Sequence, residues 1–452
     1  MNDQDTIVAV ATPHGESAIS MLRISGPKCL SLVDNVFKRK SPPRPRRSSH
    51  GDYISLSDEL LDDVVYCYYQ GPSSYTGEDS LEIMCHGNPL IASKVLHDLV
   101  GRGCRQADPG EFTQRAFLNG RIDLTQAEAV MELIQARSDK AIRVANNQLR
   151  GAFGKQLAVL KDQLLSNVAV IEAYIDFPEE DLPEEQKQAQ INGIQKVMTF
   201  CSRLIDSSKY AALLRDGVKT LILGEPNAGK SSLLNCLLGF DRAIVSEEPG
   251  TTRDFLQERL ILGDYSIQLL DTAGLREAEG TIERQGILKT IELAEEADVF
   301  LLVVDGSLPC PTLPEEILGK MNSENTIVIR NKEDLPKSEE GYSILSGFSS
   351  VSICAKDGNG LEGLRNTLFS LIDSNFSSAD DELILINARH SLALNELKEC
   401  LEQALAKFEL DESAELIASD MRGAIDAIGR ILGRIDNEDM LDVLFSSFCI
   451  GK

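Results

Sequence analysis

The sequence predicts a multidomain chain of mixed α+β and α/β class, in which an α/β domain interrupts a helical one. Three observations carry this expectation. Short β-rich runs separated by turn clusters fill the first 120 residues, apolar residues at helical spacing dominate the middle and the C-terminal segments, and a block of strand-like runs alternating mostly with helices lies between those two stretches. The expected boundaries are 1–120 for an N-terminal α+β domain, 121–215 and 375–452 for the two parts of the helical domain, and 216–374 for the insert. A length of 452 residues agrees with roughly three domains.

In chain order, strands are expected at Thr6 to Ala11, Ala18 to Ile24, Asp63 to Tyr69 and Ser80 to Met84, with the Pro/Arg/Lys-rich stretch Lys38 to Arg47 as a solvated loop. From Ile122 the pattern turns helical. Leu157, Leu160, Leu164, Val168, Ile171 and Ile175, with Leu165 beside them, share one helix face. The acidic stretch Phe177 to Gln186, with Pro178 and Pro183, reads as a connection, and helix resumes at Ile191 to Ile205 and again at Leu383 to Phe408 and Ala414 to Leu432. The inserted block has strand-like runs at Thr220 to Leu223, Leu256 to Leu262, Ser266 to Leu270, Val299 to Val304, Thr326 to Ile329 and Val351 to Ile353, a doubly wound pattern.

Composition narrows the function classes. The chain carries 45 Lys+Arg against 71 Asp+Glu, a formal net charge of −26, which argues against a protein that grips nucleic acid through a broad cationic surface of its own. The segments contribute −3, −1, −13 and −9 in chain order, so direct RNA contacts, if made, belong to the near-neutral first 215 residues. Ten cysteines form no C-x-x-C pair, and His14, His50, His86, His97 and His390 are scattered, so neither a structural zinc site nor a disulfide framework is expected. The acidic start and the shortness of the longest apolar run, Val299 to Val304, point to a cytoplasmic chain with no membrane segment.

The strand Thr220 to Leu223 runs into Gly224-Glu225-Pro226-Asn227-Ala228-Gly229-Lys230-Ser231-Ser232 and then the apolar helix Leu233 to Leu238, a G-x-x-x-x-G-K-S phosphate loop in its required strand–loop–helix setting. The glycines let backbone N–H groups close around phosphate oxygens, Lys230 places a charge on the β- and γ-phosphates, and Ser231 offers a hydroxyl to Mg²⁺. Asn331-Lys332-Glu333-Asp334 follows the strand Thr326 to Arg330, and the Asp334 carboxylate can accept from both N1–H and the exocyclic amine of guanine. Asp271-Thr272-Ala273-Gly274 has the form of a γ-phosphate sensor, with Asp271 on a Mg²⁺ water and the Gly274 amide facing the phosphate. Thr252, within Gly250-Thr251-Thr252-Arg253-Asp254, is the natural Mg²⁺ ligand of the other switch. These pieces describe a Ras-like P-loop GTPase domain, but Leu275 stands where a Gln would orient the attacking water. The last base loop reads Ser352-Ile353-Cys354-Ala355-Lys356, with Cys where many GTPases have Ser; the Ala355 amide, which meets guanine O6, does not depend on that side chain.

The P-loop G-E-P-N-A-G-K-S-S, the switches P-G-T-T-R-D and D-T-A-G-L-R, and the terminal Phe448-Cys449-Ile450-Gly451-Lys452 resemble the bacterial tRNA-modification GTPase family MnmE, also called TrmE. The resemblance spans the chain, including S-Y-T-G-E-D at Ser74 to Asp79, P-G-E-F-T at Pro109 to Thr113 and R-A-F-L-N-G-R at Arg115 to Arg121. It implies an N-terminal domain that binds a tetrahydrofolate (5,10-methylene or 5-formyl form) and forms a homodimer. It also implies K⁺ held by Asn227, the Thr251 hydroxyl and main-chain oxygens of Ser246 and Glu248, in place of an arginine finger. Glu283 would supply the water-orienting group that Leu275 lacks, although the bare sequence around it, Glu277 to Arg284, reads as a solvated helix start. The folate site maps onto Arg23, Glu82, Arg121 and Lys452, with Arg121 where some relatives have Lys.

The same resemblance implies an FAD-dependent partner, MnmG (GidA), tRNA contacts mainly through that partner, and an aminomethyl or carboxymethylaminomethyl group built on C5 of the wobble uridine. Cys449 is the candidate thiol for the one-carbon or uridine chemistry. Cys449 to Lys452 match a prenylation pattern in form only, because Gly451 and Lys452 suit it poorly. The alternative from another class is a regulatory GTPase of ribosome or RNP assembly that acts by partner binding. Such a switch has no need of Cys449 or of the Arg23, Glu82, Arg121 and Lys452 set.

Overall fold

The computed structural model describes residues 5–38, 42–176, 184–240, 257–271, 290–311, 313–376, 384–410, 412–433, 441, 444–446, 448 and 450–451. Contacts divide the chain into two units: Met1–Met131 with Gln148–Val197 and Glu396–Lys452, and Glu132–Asn147 with Met198–Asn395. No helix among the described residues is long and apolar enough to cross a membrane.

The first unit opens with a six-stranded sheet of β1 (Ile7–Val10), β2 (Ile19–Ser25), β3 (Ser49–Ile54), β4 (Leu60–Tyr69), β5 (Ser80–His86) and β6 (Arg105–Gln106), in the order β3-β4-β5-β2-β1-β6. Its ladders are antiparallel except for β1 with β6. Leu22 and Ile24 of β2 and Leu81 and Ile83 of β5 alternate into a core covered by α1 (Cys29–Phe37) and α2 (Pro89–Gly101). Asn88 caps α2 by accepting from the Leu90 amide at 2.8 Å, with Pro89 at the helix start, where its missing N–H costs nothing. β3 was absent from the sequence expectation. Its residues, Ser-His-Gly-Asp-Tyr-Ile, carry little apolar signal because it is an edge strand with one buried side chain, Tyr53.

α3 (Glu111–Leu118), α4 (Leu124–Gln135), α5 (Asp139–Leu149) and α6 (Ala152–Asp176) follow, and α6 packs on the later helix of Ala414–Leu432. Leu157, Leu160, Leu164, Val168 and Ile171 are buried along α6 as their spacing requires, whereas Leu165 is 45% exposed. α7 (Glu184–Asp216) is far longer than the expected Ile191 to Ile205: its first turns are polar and carry no apolar periodicity, while its last turns continue the helix through the buried Tyr210, Ala211 and Leu214. Glu184 to Gln186, expected to be part of a loop, are therefore its first turn.

The second unit is built on another six-stranded sheet: β7 (Val218–Leu223), β8 (Gln257–Leu262), β9 (Tyr265–Asp271), β10 (Val299–Asp305), β11 (Thr326–Asn331) and β12 (Ser349–Ser352), ordered β12-β11-β10-β7-β9-β8. All its ladders are parallel except the β8–β9 hairpin. Along β10, Val299, Leu301 and Val303 enter one core while Phe300, Leu302 and Val304 enter another, so both faces are buried and the strand reads as an unbroken apolar run. α8 (Lys230–Phe240) and α9 (Leu361–Phe376) lie on the first of these faces, through Leu233 and Leu364 among others. Later in the chain come α10 (Ala388–Glu409) and, within the first unit, α11 (Ala414–Leu432).

Candidate functional site: a guanine nucleotide cradle

The loop between β7 and α8 owes its path to glycine. Gly224 has φ 149° and Gly229 φ 101°, and a Cβ would lie 2.2 Å from the Val303 carbonyl at the first and 2.0 Å from Asn331 Nδ2 at the second. Asn227 between them also takes a positive φ, 64°, which Asn tolerates better than most residues. The Leu233 amide donates to the Gly229 carbonyl at 2.9 Å, which starts α8, so Lys230, Ser231 and Ser232 occupy its first turn. Lys230 Nζ donates to the carbonyls of Gly224 at 2.8 Å and Glu225 at 2.9 Å, holding the ammonium against the loop. Asp271 ends β9 in register with Ile222, one strand over from the start of this loop.

The base side gathers at the carboxyl ends of β10, β11 and β12, where doubly wound sheets bind ligands. Asn331 is 3% exposed, donates from Nδ2 to the Ala228 carbonyl at 2.8 Å and accepts at Oδ1 from the Ala355 amide at 3.0 Å. One side chain thus ties the loop before α8 to the Cys354–Lys356 loop. Lys332, at φ 64°, donates from Nζ to Asp305 Oδ2 at 2.5 Å. Burial opposes the charged form of Asp305, but its bonds to Lys332 and Ser307 outweigh that and hold the carboxyl below its usual range. The Glu333 amide donates to the Ile353 carbonyl at 3.0 Å, which brings Asp334 beside Cys354, whose thiol lies 3.4 Å from Asp334 Oδ1. Lys356 follows Ala355 in the same loop.

Asp305 and Cys236 were missed from sequence. The Cys236 thiol donates to the Ala355 carbonyl at 2.9 Å and steadies the base loop from α8. Asp305 did carry a signal, since it closes the apolar run of a strand adjacent to the one that delivers Asn331. Ser246, Glu248, Thr251, Thr252, Thr272, Ala273, Gly274, Glu283, Cys449 and Lys452 lie outside the described residues, as does the side chain of Asp271.

The N-terminal set is assembled in part. Arg23 and Glu82 are register partners across β2 and β5, and their side chains pair at 3.0 Å with each 18% exposed. Arg23 Nη1 also donates to the Gly451 carbonyl at 3.3 Å, and Tyr69 donates to the second Glu82 oxygen at 3.2 Å. The guanidinium stands 5.7 Å from the Tyr75 ring centre and 6.0 Å from that of Phe112. Arg121 borders the same S-Y-T-G-E-D turn, its side-chain stem 3.1 Å from where a Cβ on Gly77 would sit. Tyr69, Tyr75 and Phe112 were not anticipated, because their convergence on Arg23 is a product of tertiary folding.

A family model described as the MnmE helical domain matches residues 124–449, and one described as the GTP-binding protein TrmE N-terminus matches residues 6–121. The protein named tRNA modification GTPase MnmE from Opitutus terrae is 46% identical over 450 residues, covering 99% of each chain. Its namesake from Aquifex aeolicus is 42% identical over 450 residues, covering 99% of this chain and all of that one. The phosphate loop, the Asn331 tie and the Arg23–Glu82 pair thus occur in a chain matched almost from end to end, and it belongs to the MnmE family of tRNA modification GTPases.

Proposed function

We propose that this chain is a K⁺-dependent GTPase that works with the FAD-dependent partner MnmG to add an aminomethyl or carboxymethylaminomethyl group at C5 of the wobble uridine of certain tRNAs. The observation that carries the nucleotide half is the Asn331 side chain, which joins the phosphate loop to the base loop. The near-complete match to proteins named tRNA modification GTPases supports the second half. Cytoplasmic location and a homodimer follow from the same reading.

In this reading Lys230 leaves the Gly224 and Glu225 carbonyls to meet the β- and γ-phosphates, and Asp334 selects guanine. Ser231 and Thr252 would hold Mg²⁺, and Asp271 would hold one of its waters. The described residues suit this, because the loop is so close-packed that a Cβ at Gly224 or Gly229 has no room, leaving its amides free to approach phosphate. Asn227, Ser246, Glu248 and Thr251 would hold K⁺, which when bound neutralises charge developing on the transferred phosphoryl group. Glu283 orients the attacking water. Replacing K⁺ by Na⁺ is expected to slow GTP turnover by an order of magnitude or more, about the loss that follows removal of one charge-stabilising group; equal rates would remove the role given to Asn227.

The Arg23–Glu82 pair suits a tetrahydrofolate: a guanidinium for its carboxylates and a carboxylate acceptor for its pterin, with Tyr75 and Phe112 as flat apolar neighbours. Arg121 and Lys452 would add cationic groups, and Cys449 would serve the one-carbon or uridine step. The amine comes from glycine or ammonium. The proposal is tested by reconstitution: the purified chain and MnmG, with unmodified tRNA, GTP, K⁺, a tetrahydrofolate and glycine, should yield the modified nucleoside. A modified product formed equally well without this chain would sink the proposal and favour a purely regulatory switch.

A further inference from the structure

The loop ahead of β3 concentrates cations that the fold does not neutralise. Pro42 to Arg47 holds three prolines, three arginines and no carboxylate, in a chain whose net charge is −26. Arg44, Arg46 and Arg47 are all exposed, and among the described residues none of the three is ion-paired. Asp58 and Asp63 of the β3–β4 hairpin are engaged elsewhere, by Lys38 and by His50, each at 2.6 Å. The loop is nevertheless fixed. Pro43 is buried, the Arg47 amide donates to the Arg44 carbonyl at 3.3 Å to close a turn over Pro45 and Arg46, and the Arg46 amide donates to the Tyr68 carbonyl of β4 at 2.8 Å. Arg46 takes φ 59°, a left-handed conformation that suits glycine rather than a long side chain. Its Nη2 and Nε donate to the Ser73 carbonyl at 2.9 and 3.3 Å, which fastens the turn to the residue ahead of the S-Y-T-G-E-D segment. Tyr75 of that segment stands against Arg23 in the proposed folate site.

We propose that Arg44 and Arg47 form a phosphate-binding corner that holds the tRNA backbone beside the folate site, with Arg46 as the strut that positions them. Backbone strain at Arg46 and uncompensated like charge both oppose folding, and a polyanion offsets the charge, since each guanidinium can take a phosphate through two parallel N–H bonds. Location selects RNA among polyanions. A nucleic-acid substrate has to be brought to the one-carbon donor, whereas a lipid headgroup does not, and this corner is fastened to the segment that carries Tyr75. The rest of an acidic chain repels RNA, so a short basic corner also sets where the RNA is admitted. Because the contact is with phosphate, it supplies affinity and orientation without sequence preference. The proposal rests on the reading of this chain as a tRNA-modification GTPase and deepens it by assigning a direct RNA contact to named residues.

The test titrates unmodified tRNA against the full-length chain by fluorescence anisotropy over a series of KCl concentrations, as wild type, the double variant Arg44→Ala with Arg47→Ala, and the double variant Arg44→Lys with Arg47→Lys. The wild type is expected to bind in low salt and to lose affinity as salt rises. The alanine variant should bind about tenfold or more weakly in low salt, and its plot of log K against log salt should be flatter by about 1.5, the counterion release of two phosphates. The lysine variant keeps both charges, so it should retain the wild-type slope, with affinity within about threefold. Thermal melting should not distinguish the three proteins, because both arginines are exposed, and this separates a lost phosphate contact from a lost fold. Unchanged binding or an unchanged slope in the alanine variant, or no tRNA binding by the wild type in low salt, overturns the proposal. So does an alanine variant that loses binding to phosphatidylserine vesicles while its tRNA binding stays intact. A wild-type chain that binds tRNA through these arginines but yields no modified nucleoside on reconstitution overturns the reading beneath instead, so the two failures are told apart.

Discussion

Asn331 Nδ2 donates to the Ala228 carbonyl at 2.8 Å across 103 residues of sequence, joining the end of β11 to the turn before α8. Because the same side chain accepts from the Ala355 amide, the three loops proposed to hold one nucleotide share a single buried amide. The phosphate and base subsites are therefore set in distance before any ligand arrives.

Asn331→Ala should accordingly damage nucleotide binding, because it uncouples the two loops that the side chain joins. It orphans a buried carbonyl and a buried amide, at about 1–3 kcal/mol each. The dissociation constant for GDP, measured by calorimetry, is expected to rise by about tenfold or more. Asn331→Asp keeps the acceptor for Ala355 and should lose less than Asn331→Ala.

The N-terminal set gives a separate prediction. Arg23→Ala removes the guanidinium that links Glu82, the Gly451 carbonyl and the Tyr75 and Phe112 rings. Titration with 5-formyltetrahydrofolate is expected to show affinity reduced by about tenfold or more, the value of a hydrogen bond to a charged group. Unchanged affinity would take Arg23 out of the proposed folate site.

Acid stability should report on a buried charge cluster in the first unit. Glu111, whose side chain is fully buried, accepts from Arg105 and Arg115, and Arg115 also meets Asp5 and Glu78. Burial opposes ionisation of Glu111, but Arg105, the Asp108 amide and Arg115 outweigh it and hold the carboxyl below its ordinary 4.5. A group whose folded value is lowered contributes stability above the unfolded value and loses it as pH falls through the folded one. The stabilisation is thus complete above the ordinary 4.5 and is lost as pH falls below it, through the lowered folded value. Glu111→Gln should cost on the order of 3 kcal/mol at pH 7 and flatten that acid limb, as followed by thermal melting. A mutant with an unaltered pH profile would contradict this assignment.

What the sequence revealed, and what it hid, follows from how each element is stabilised. β10 and β11 were legible because strands buried on both faces must be apolar throughout, and the phosphate loop was legible because it needs Gly224, Gly229, Lys230 and Ser231 at fixed spacing. β3 was not, since an edge strand with a single buried side chain needs no such composition. The polar first turns of α7 were hidden for a similar reason. Asp334 could be named from its tetrapeptide, but its contact with Cys354 joins two loops that only the sheet order brings together. Tyr69, on a strand correctly anticipated, gave no sign that its hydroxyl would bond Glu82, because register between β4 and β5 decides that.

The most direct test of the account is nucleoside analysis of tRNA by mass spectrometry in a strain lacking the gene, complemented with wild type or with Lys230→Ala. Lys230 bonds the Gly224 and Glu225 carbonyls and is the cation assigned to the phosphates, so its loss should abolish GTP turnover while the chain still folds. The account predicts the modified wobble uridine with the wild-type chain and unmodified uridine with Lys230→Ala. Full modification with Lys230→Ala, or an unmodified wobble uridine with the wild-type chain, would contradict the claim that GTP hydrolysis by this protein serves tRNA modification.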